Sequence, residues 1–447
     1  MPYRNQRPKL NCMKTTGKKD LGRIELIAIA LGGMVGGGIF SVLGVAVDIV
    51  GTAAPLAILL GGLLALSAAY SYVKLAIYYK DEGATYSFFK KTFPESDFAA
   101  SAIGWFVVFG YISTLALYAF TFSSYFVSFL PNSEPNYLKE LIAASVLTVF
   151  SLVNIISVKG MGKIEDVLVY TKIVILLIIS GLFLTVGDTS NLNISFNDDF
   201  SYFSIFIVAS LTFVAFEGFQ LVIHAYNEAD NPNKNIPSAI YWSLGIALFI
   251  YLVLALGAIS AIPKELLIRD KEFALAAGAS TILGNLGHFI VILGALLATS
   301  SAISGTQFGA SRLMAVIAED GFLPSYLKRK QPGEVPAYAI ITMSLLAFTL
   351  IVTGSLKTIL EFGSITFIVV SILMAVANYK IRKKTMTNGY IGLIAILGLS
   401  IACICLLYYE YTTDIQGLFY ILGIYMTLLI CSAIFSRANG QHNRRKK

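Results

Sequence analysis

A series of long apolar segments is the feature that most constrains the fold. Twelve apolar runs, most of them about 20 residues long, follow one another along the 447-residue chain. A helix of that length spans the roughly 30 Å hydrocarbon core of a bilayer. Only 13% of the residues are charged, against roughly 25% in a soluble domain. The sequence therefore predicts an all-α integral membrane protein with twelve transmembrane helices. The runs are Glu25–Ile49, Ala54–Tyr79, Ser101–Leu130, Leu141–Val158, Ile164–Val186, Tyr202–Asn227, Ala239–Ala261, Leu286–Met314, Ala337–Val352, Ile359–Asn378, Tyr390–Tyr408 and Leu418–Phe435.

Basic residues are distributed unevenly between the two sets of connecting loops. Cytoplasmic loops carry an excess of Lys and Arg, and most of the 33 basic residues lie on one side if the N-terminus is cytoplasmic. We therefore expect a multi-pass protein of the cell membrane with both termini in the cytoplasm. The same bias explains the net charge of +7, because basic tails favour anionic lipid headgroups. Nucleic acid is not an expected partner. The basic residues predicted to lie elsewhere are Lys139, Lys264, Arg269, Lys271 and Lys357 outside and Lys172 within the membrane.

The first apolar run contains an unusual concentration of glycine. Five glycines occur in seven residues of the stretch GGMVGGGIF, which covers residues 32–40. Each costs roughly 1 kcal/mol in a helix interior relative to alanine, and unpaired backbone groups in lipid cost several kcal/mol more. One interpretation is close helix packing through small residues. The other is a broken helix, which is tolerated at membrane depth where its backbone lines a cavity.

A second interruption favours the broken-helix interpretation. The sixth run contains FVAFEGFQ, in which a Glu–Gly pair lies among apolar residues. Interrupted segments at matching positions of two halves indicate a transporter site. Freed amides near residues 36–39 would bind an anion, and freed carbonyls would bind a cation. A zwitterion, which has both charges, fits a site of this kind. The predicted substrate-binding residues are Met34, Gly36, Gly37, Gly38, Ile39, Phe213, Val214, Ala215, Phe216, Glu217 and Gly218.

Together, these motifs resemble those of the amino acid–polyamine–organocation permeases. GGMVGGGIF is similar to the glycine-rich break in helix 1 of that family, and FVAFEGFQ followed by NEADNPNKNIPSAI is similar to its helix 6 break and following loop. ASRLMAVIAEDGFLP resembles the end of helix 8. The resemblance covers roughly residues 21–435 and is closest to prokaryotic, proton-coupled members with a lysine in helix 5.

The resemblance implies a LeuT-like fold with two inverted repeats of five helices. The corresponding division is an N-terminal cytoplasmic tail at 1–20, a first repeat at 21–186, a second repeat at 202–378, two further helices at 390–435 and a C-terminal tail at 436–447. Helices 1 and 6 are expected to be discontinuous. The implied activity is the uptake or exchange of amino acids or related amines by alternating access.

Lys172 lies about 12 Å into the fifth run, at 1.5 Å per residue. A lysine at mid-membrane costs at least roughly 2.5–3.5 kcal/mol, so it needs a partner or a role. In family members with this lysine, its ammonium takes the place of a bound sodium ion. The resemblance therefore implies a proton-coupling group of Lys172, the Gly32 carbonyl and hydroxyls of Ser300, Ser301 or Ser304. Because burial favours the neutral amine, such a lysine can release a proton.

Glu217 departs from the family pattern, which more often has an apolar residue in this break. One interpretation is that its carboxylate binds a cationic group of the substrate or a second proton. The other is that it pairs with a freed amide of its own break. The sequence leaves both open, and with them the substrate class.

These observations predict a secondary transporter that brings neutral amino acids into the cell together with protons. An exchanger of cationic amino acids or polyamines is the first alternative, and an amino-acid sensor is a more remote one. The chain has no HExxH or nucleophile motif, and its four cysteines lack metal-ligand spacing. We therefore expect no enzyme activity, cofactor or metal site. The oligomeric state does not follow from the sequence.

Overall fold

The computed structural model describes residues 21–130, 136–156, 161–192, 202–330 and 335–446. The described residues are almost entirely helical, apart from an isolated bridge between Leu21 and Ala229. The predicted N-terminal tail at 1–20 lies outside them. The helices are α1 (Arg23–Met34), α2 (Gly37–Val50), α3 (Ala54–Tyr79), α4 (Ala84–Thr92), α5 (Asp97–Ser128), α6 (Asn136–Ile156), α7 (Met161–Val186), α8 (Tyr202–Thr212), α9 (Pro232–Ala261), α10 (Lys264–Arg269), α11 (Ala274–Glu319), α12 (Ala337–Thr353), α13 (Leu356–Lys380), α14 (Arg382–Thr385), α15 (Gly389–Thr413) and α16 (Ile415–Lys446).

Ten helical segments in the described part of the chain are long and apolar enough to cross a membrane. The apolar helix α12 is shorter than these, and α2 and α3 form one continuous segment because a short 3-10 turn joins them. Each predicted apolar run overlaps at least one helix, but the first run is divided between α1 and α2. The all-helical membrane architecture predicted from the sequence is therefore present.

Two helices extend furthest beyond the limits of the predicted runs. Helix α11 is 46 residues long because it includes a segment that precedes the predicted eighth run, and it bends at Gly284, where φ is +66°. Helix α16 continues to Lys446, so that most of the segment assigned to the C-terminal tail, 436–447, is helical.

Helix α5 lies at the centre of the bundle and packs against α11, α13 and α16. Helix α7, which carries Lys172, packs against α9 and α11. Small residues allow some helices to approach closely: a Cβ atom at Gly61 of α3 would lie 2.8 Å from the Ala209 carbonyl oxygen of α8. Such contacts are a common basis of helix association in membranes, where no hydrophobic effect drives helices together.

Candidate functional site

The first helix break lies between α1 and α2. Helix α1 ends at Met34, Val35 leaves helical geometry (φ −82°, ψ 70°), and Gly36 is extended before α2 begins at Gly37. All of these residues are buried. The last carbonyls of α1 and the first amides of α2 have no partner within their own helices. No side chain caps the N-terminus of α2, so these amides point into the protein interior with the positive end of the helix dipole.

The second break follows α8. The chain continues as a 3-10 turn over Phe213–Phe216, becomes extended at Glu217 (φ −71°, ψ 137°), and adopts a φ of +130° at Gly218. Glycine is the residue that accepts this conformation without strain. Beyond it, the chain is again a 3-10 helix, Phe219–Ala225, rather than an α-helix.

The two breaks are in direct backbone contact. A Cβ atom at Gly218 would lie 2.5 Å from the carbonyl carbon of Gly33 and 2.7 Å from the Met34 amide nitrogen. A Cβ atom at Gly38 would lie 3.0 Å from the Cα of Ala215. Side chains at these glycines would therefore separate the breaks. The glycines of GGMVGGGIF serve both interpretations, because they interrupt the helix and also permit the close approach.

Side chains from three other helices bind the last carbonyls of α1, of which the Met34 oxygen also accepts the Gly36 amide at 2.9 Å. The Lys172 ammonium of α7 is 3.1 Å from the Gly32 oxygen, and the Tyr118 hydroxyl of α5 donates to the Gly33 oxygen at 2.8 Å. The Tyr251 hydroxyl of α9 is 2.8 Å from the Met34 oxygen and 2.9 Å from the Ala215 oxygen of the second break. Since one hydroxyl has one proton, Tyr251 donates to one of these oxygens at a time.

Lys172 is completely buried. Besides the Gly32 carbonyl, its ammonium contacts the Ser301 hydroxyl of α11 at 2.7 Å. A cation at the C-terminus of a helix is stabilised by the helix dipole, and α1 ends two residues after Gly32. The ammonium thus links α7 and α11 to the end of α1. Ser300, beside Ser301, is half-buried, and the Ser304 hydroxyl is buried with no hydrogen-bond partner among the described residues.

Glu217 is 2% exposed and forms a local network with Gln220. The Gln220 amide donates to Glu217 Oε2 at 2.5 Å, and the Gln220 Oε1 accepts a hydrogen bond from the Gly218 amide at 3.2 Å. The freed backbone amide is therefore bound by Gln220 and not by the carboxylate itself. Glu217 Oε1 is buried and accepts no hydrogen bond from the described residues.

A narrow gap between side chains, too small to hold a water molecule, adjoins both breaks. Glu217, Gly218 and Gly33 line it together with side chains of α5, α11 and α13, including Tyr111 and Thr306. The Tyr111 hydroxyl is buried and has no hydrogen-bond partner among the described residues. Two polar atoms without a hydrogen-bond partner among the described residues, Glu217 Oε1 and the Tyr111 hydroxyl, thus belong to residues beside the same narrow gap.

The structure brings the predicted substrate-binding residues of the two breaks together. The buried members of this set include Met34, Ile39, Phe213 and Val214. The Phe216 ring packs against Tyr251 at a centroid distance of 5.2 Å.

The sequence interpretation missed Tyr251 and Gln220. A tyrosine in the middle of an apolar helix was the available signal for the first, since a buried hydroxyl usually finds a partner. A glutamine one turn after Glu217 was the signal for the second.

Comparisons with known proteins agree with this architecture. A sequence model of the amino acid permease family matches residues 21–430. The inner membrane transport protein YbaT of Escherichia coli is 27% identical over 96% of this chain and 99% of its own length. The branched-chain amino acid permease BcaP of Bacillus subtilis is 26% identical over 82% of both chains.

A solved structure shows a similar fold. The manganese transporter of Eremococcus coleocola superposes with a TM-score of 0.63 over 95% of both chains, at 13% sequence identity. This likeness concerns the fold alone. The family match covers most of the sequence, and both sequence relatives are named as transport proteins rather than enzymes. The chain therefore belongs to the amino acid permease family and is a multi-pass membrane protein for amino acid transport.

Proposed function

We propose that this protein is a secondary active transporter that carries neutral amino acids into the cell together with protons by alternating access. The observation that carries the proposal is the contact between the two helix breaks, with the buried Lys172 ammonium bound to the end of α1. This arrangement offers amides for a carboxylate, carbonyls for an ammonium and a charge that can change on protonation.

The proposed topology has twelve membrane crossings and both termini in the cytoplasm of a cell-membrane protein. The first repeat, 21–186, ends with α7, and the second, 202–378, begins with α8, so that each starts with an interrupted helix. Residues 390–435 would add two crossings outside the repeats. The matching positions of the two breaks support this division, and the basic residues of the loops support the orientation.

The substrate carboxylate is proposed to bind at the start of α2. The amides of Gly37, Gly38 and Ile39 precede the first hydrogen bond of that helix, no side chain caps them, and the helix dipole favours an anion. The substrate ammonium would then meet carbonyls of the facing breaks. The relative named as a branched-chain amino acid permease supports an apolar substrate side chain, as do Phe213 and Phe216 in the second break.

Protons are the proposed coupling ion. The Lys172 ammonium occupies the space between Gly32 and Ser301, where oxygen atoms would otherwise be suited to a sodium ion. Loss of its proton would weaken the connection of α7 and α11 to α1. A charge change at one residue would thereby shift the balance between two arrangements of the helices.

Exchange of cationic amino acids or polyamines is the second candidate function. It is favoured by Glu217, because its buried Oε1 atom accepts no hydrogen bond from the described residues and the residue lines the narrow gap beside the breaks. A buried carboxylate with an open acceptor position suits a cationic substrate group. An amino-acid sensor with the same fold is a third, more remote candidate, which predicts binding without transport.

Uptake into proteoliposomes tests the proposed function. Purified protein is reconstituted, a pH gradient is imposed in sodium-free buffer, and a panel of labelled neutral and cationic amino acids is supplied outside. We expect a neutral amino acid to accumulate only while the gradient lasts. Uptake that requires internal amino acid and no gradient would instead indicate exchange. A requirement for sodium would overturn the proposed coupling, and binding without uptake of any substrate would indicate a sensor.

A further inference from the structure

Two buried carboxylates lie near the N-terminal end of α13, remote in the sequence from both helix breaks. Glu361 of α13 and Glu410 of α15 are each 0% exposed. One lysine serves both: the Lys357 ammonium is 3.3 Å from Glu361 Oε1 and 3.6 Å from Glu410 Oε1. Its side chain is 31% exposed. The group therefore joins two helices and reaches the surface through the lysine.

In the described part of the chain, no positively charged side chain other than Lys357 pairs with these two carboxylates. The Lys357 ammonium lies 4.8 Å from the Tyr409 ring centroid and 3.5 Å from the Thr413 hydroxyl. From the side of α16, a Cβ atom at Gly417 would lie 3.3 Å from Glu410 Oε2 and 2.6 Å from Asp414 Oδ2. The titratable groups that face the pair among the described residues are thus Lys357, Tyr409 and Asp414, and the last adds a third acid.

Charge balance requires one more cation. With both glutamates ionised and the lysine charged, the buried group carries one net negative charge. Burial of an uncompensated charge is costly, and two carboxylates at one site cannot easily both ionise. None of the four carboxylate oxygens receives a hydrogen bond from the described residues, so neutral donors do not offset the charge.

We propose that Glu361 and Glu410 share one bound proton and form a second proton site, separate from Lys172. The proton binds one carboxylate oxygen, and the remaining carboxylate pairs with Lys357. The neutralised group holds α13 against α15. Loss of the proton to water through the exposed side of Lys357 leaves two carboxylates for one ammonium, and their repulsion loosens the contact between the two helices. The site responds to the pH on the side of the membrane where α13 begins.

Infrared difference spectroscopy of the purified protein in lipid nanodiscs tests this proposal without any transport assay. A protonated carboxyl group has a carbonyl band that a carboxylate lacks, and a glutamine side chain does not contribute to it. We expect the wild type to show a carboxyl band that disappears on raising the pH. Glu361→Gln and Glu410→Gln should each abolish the same band, since either change leaves a single carboxylate paired with Lys357. Glu217→Gln is the control and should leave this band in place.

Thermal unfolding across pH provides the second measurement. In Lys357→Met, two protons are needed to neutralise the pair, so the melting temperature should fall more steeply with rising pH than in the wild type. The triple variant Lys357→Met, Glu361→Gln, Glu410→Gln should remove this additional dependence. The proposal would be overturned if the wild-type spectrum contained no carboxyl band that Glu361→Gln and Glu410→Gln each remove. Release of that band by added sodium at constant pH would also overturn it, because the site would then bind a metal cation.

Discussion

The two helix breaks differ in what holds their exposed backbone groups. At the end of α1, three successive carbonyls contact side chains of three other helices: Lys172, Tyr118 and Tyr251. In the second break, the Gly218 amide and the Glu217 carboxylate are both bound by Gln220, two or three residues away. The first break is therefore held by the surrounding bundle, and the second mostly by its own segment.

This difference indicates separate roles for the two breaks. A backbone segment held by distant helices changes its environment when those helices move or when one of its partners changes charge. A segment held by its own side chains keeps its shape more independently. We infer that the first break connects protonation to helix movement, whereas the second supplies a preformed surface for the substrate. Tyr251 contacts carbonyls of both breaks and therefore joins them.

Substitution of Gly218 should have the largest effect, because it alters the contact between the breaks. In Gly218→Ala, the added Cβ would lie 2.5 Å from a backbone atom of Gly33 at a φ of +130°. We expect destabilisation of about 3 kcal/mol or more and complete loss of uptake. Gly245→Ala is the matched control, since a Cβ there meets nothing within 4 Å. A normal melting temperature and normal uptake for Gly218→Ala would show that the breaks are not in contact.

Gly38→Val should abolish substrate binding while the protein still inserts. A Cβ at Gly38 would lie 3.0 Å from the Cα of Ala215, so the valine side chain would fill space at the start of α2 that the carboxylate needs and would favour a continuous helix. We expect a loss of affinity of about 100-fold or more, or roughly 2.8 kcal/mol. Binding is measured by calorimetry on folded protein. Unchanged affinity would place the carboxylate site elsewhere.

Glu217→Gln separates the two candidate substrate classes. If the carboxylate binds a cationic side chain, the variant should lose affinity for arginine or a polyamine by about 10-fold or more, with little change for alanine. If the carboxylate only supports the second break through Gln220, both losses should be equal and small. Competition binding with arginine and alanine on the same sample measures the two losses of affinity. Gln220→Glu tests the hydrogen bonds of Gln220 with Glu217 and Gly218.

Removal of either tyrosine hydroxyl that binds an α1 carbonyl should have a smaller effect on stability. Tyr118→Phe and Tyr251→Phe remove one donor from a buried carbonyl, and we expect each to destabilise the protein by about 0.5–2 kcal/mol. Tyr390→Phe is the control, because Tyr390 is 81% exposed. Melting temperatures in one detergent provide the measurement. A larger effect for Gln220→Ala than for either tyrosine would reverse the proposed distinction between the two breaks.

The sequence predicts those features whose cause is local. Glycine at residues 36–38 and at Gly218 shows where the helices break, since glycine is unfavourable in a helix and permits positive φ. A lysine among apolar residues shows where a charge needs partners. The contacts of Tyr251 and the pairing of Glu361 with Glu410 join segments far apart in sequence, so no pattern along the chain specifies them. The 3-10 geometry after Gly218 likewise depends on packing around the second break.

The Lys172 ammonium is proposed to couple protons to transport through the end of α1. The most direct measurement is accumulation of a neutral amino acid in sodium-free proteoliposomes under a pH gradient, compared between the wild type, Lys172→Ala and the control Lys74→Ala. Lys74 is a lysine of α3 that contacts the Met386 carbonyl, away from both breaks. We expect the wild type and the control to accumulate substrate and Lys172→Ala to bind it without accumulation. Gradient-driven accumulation by folded Lys172→Ala, or a wild type that transports only with sodium, would contradict this coupling role of Lys172.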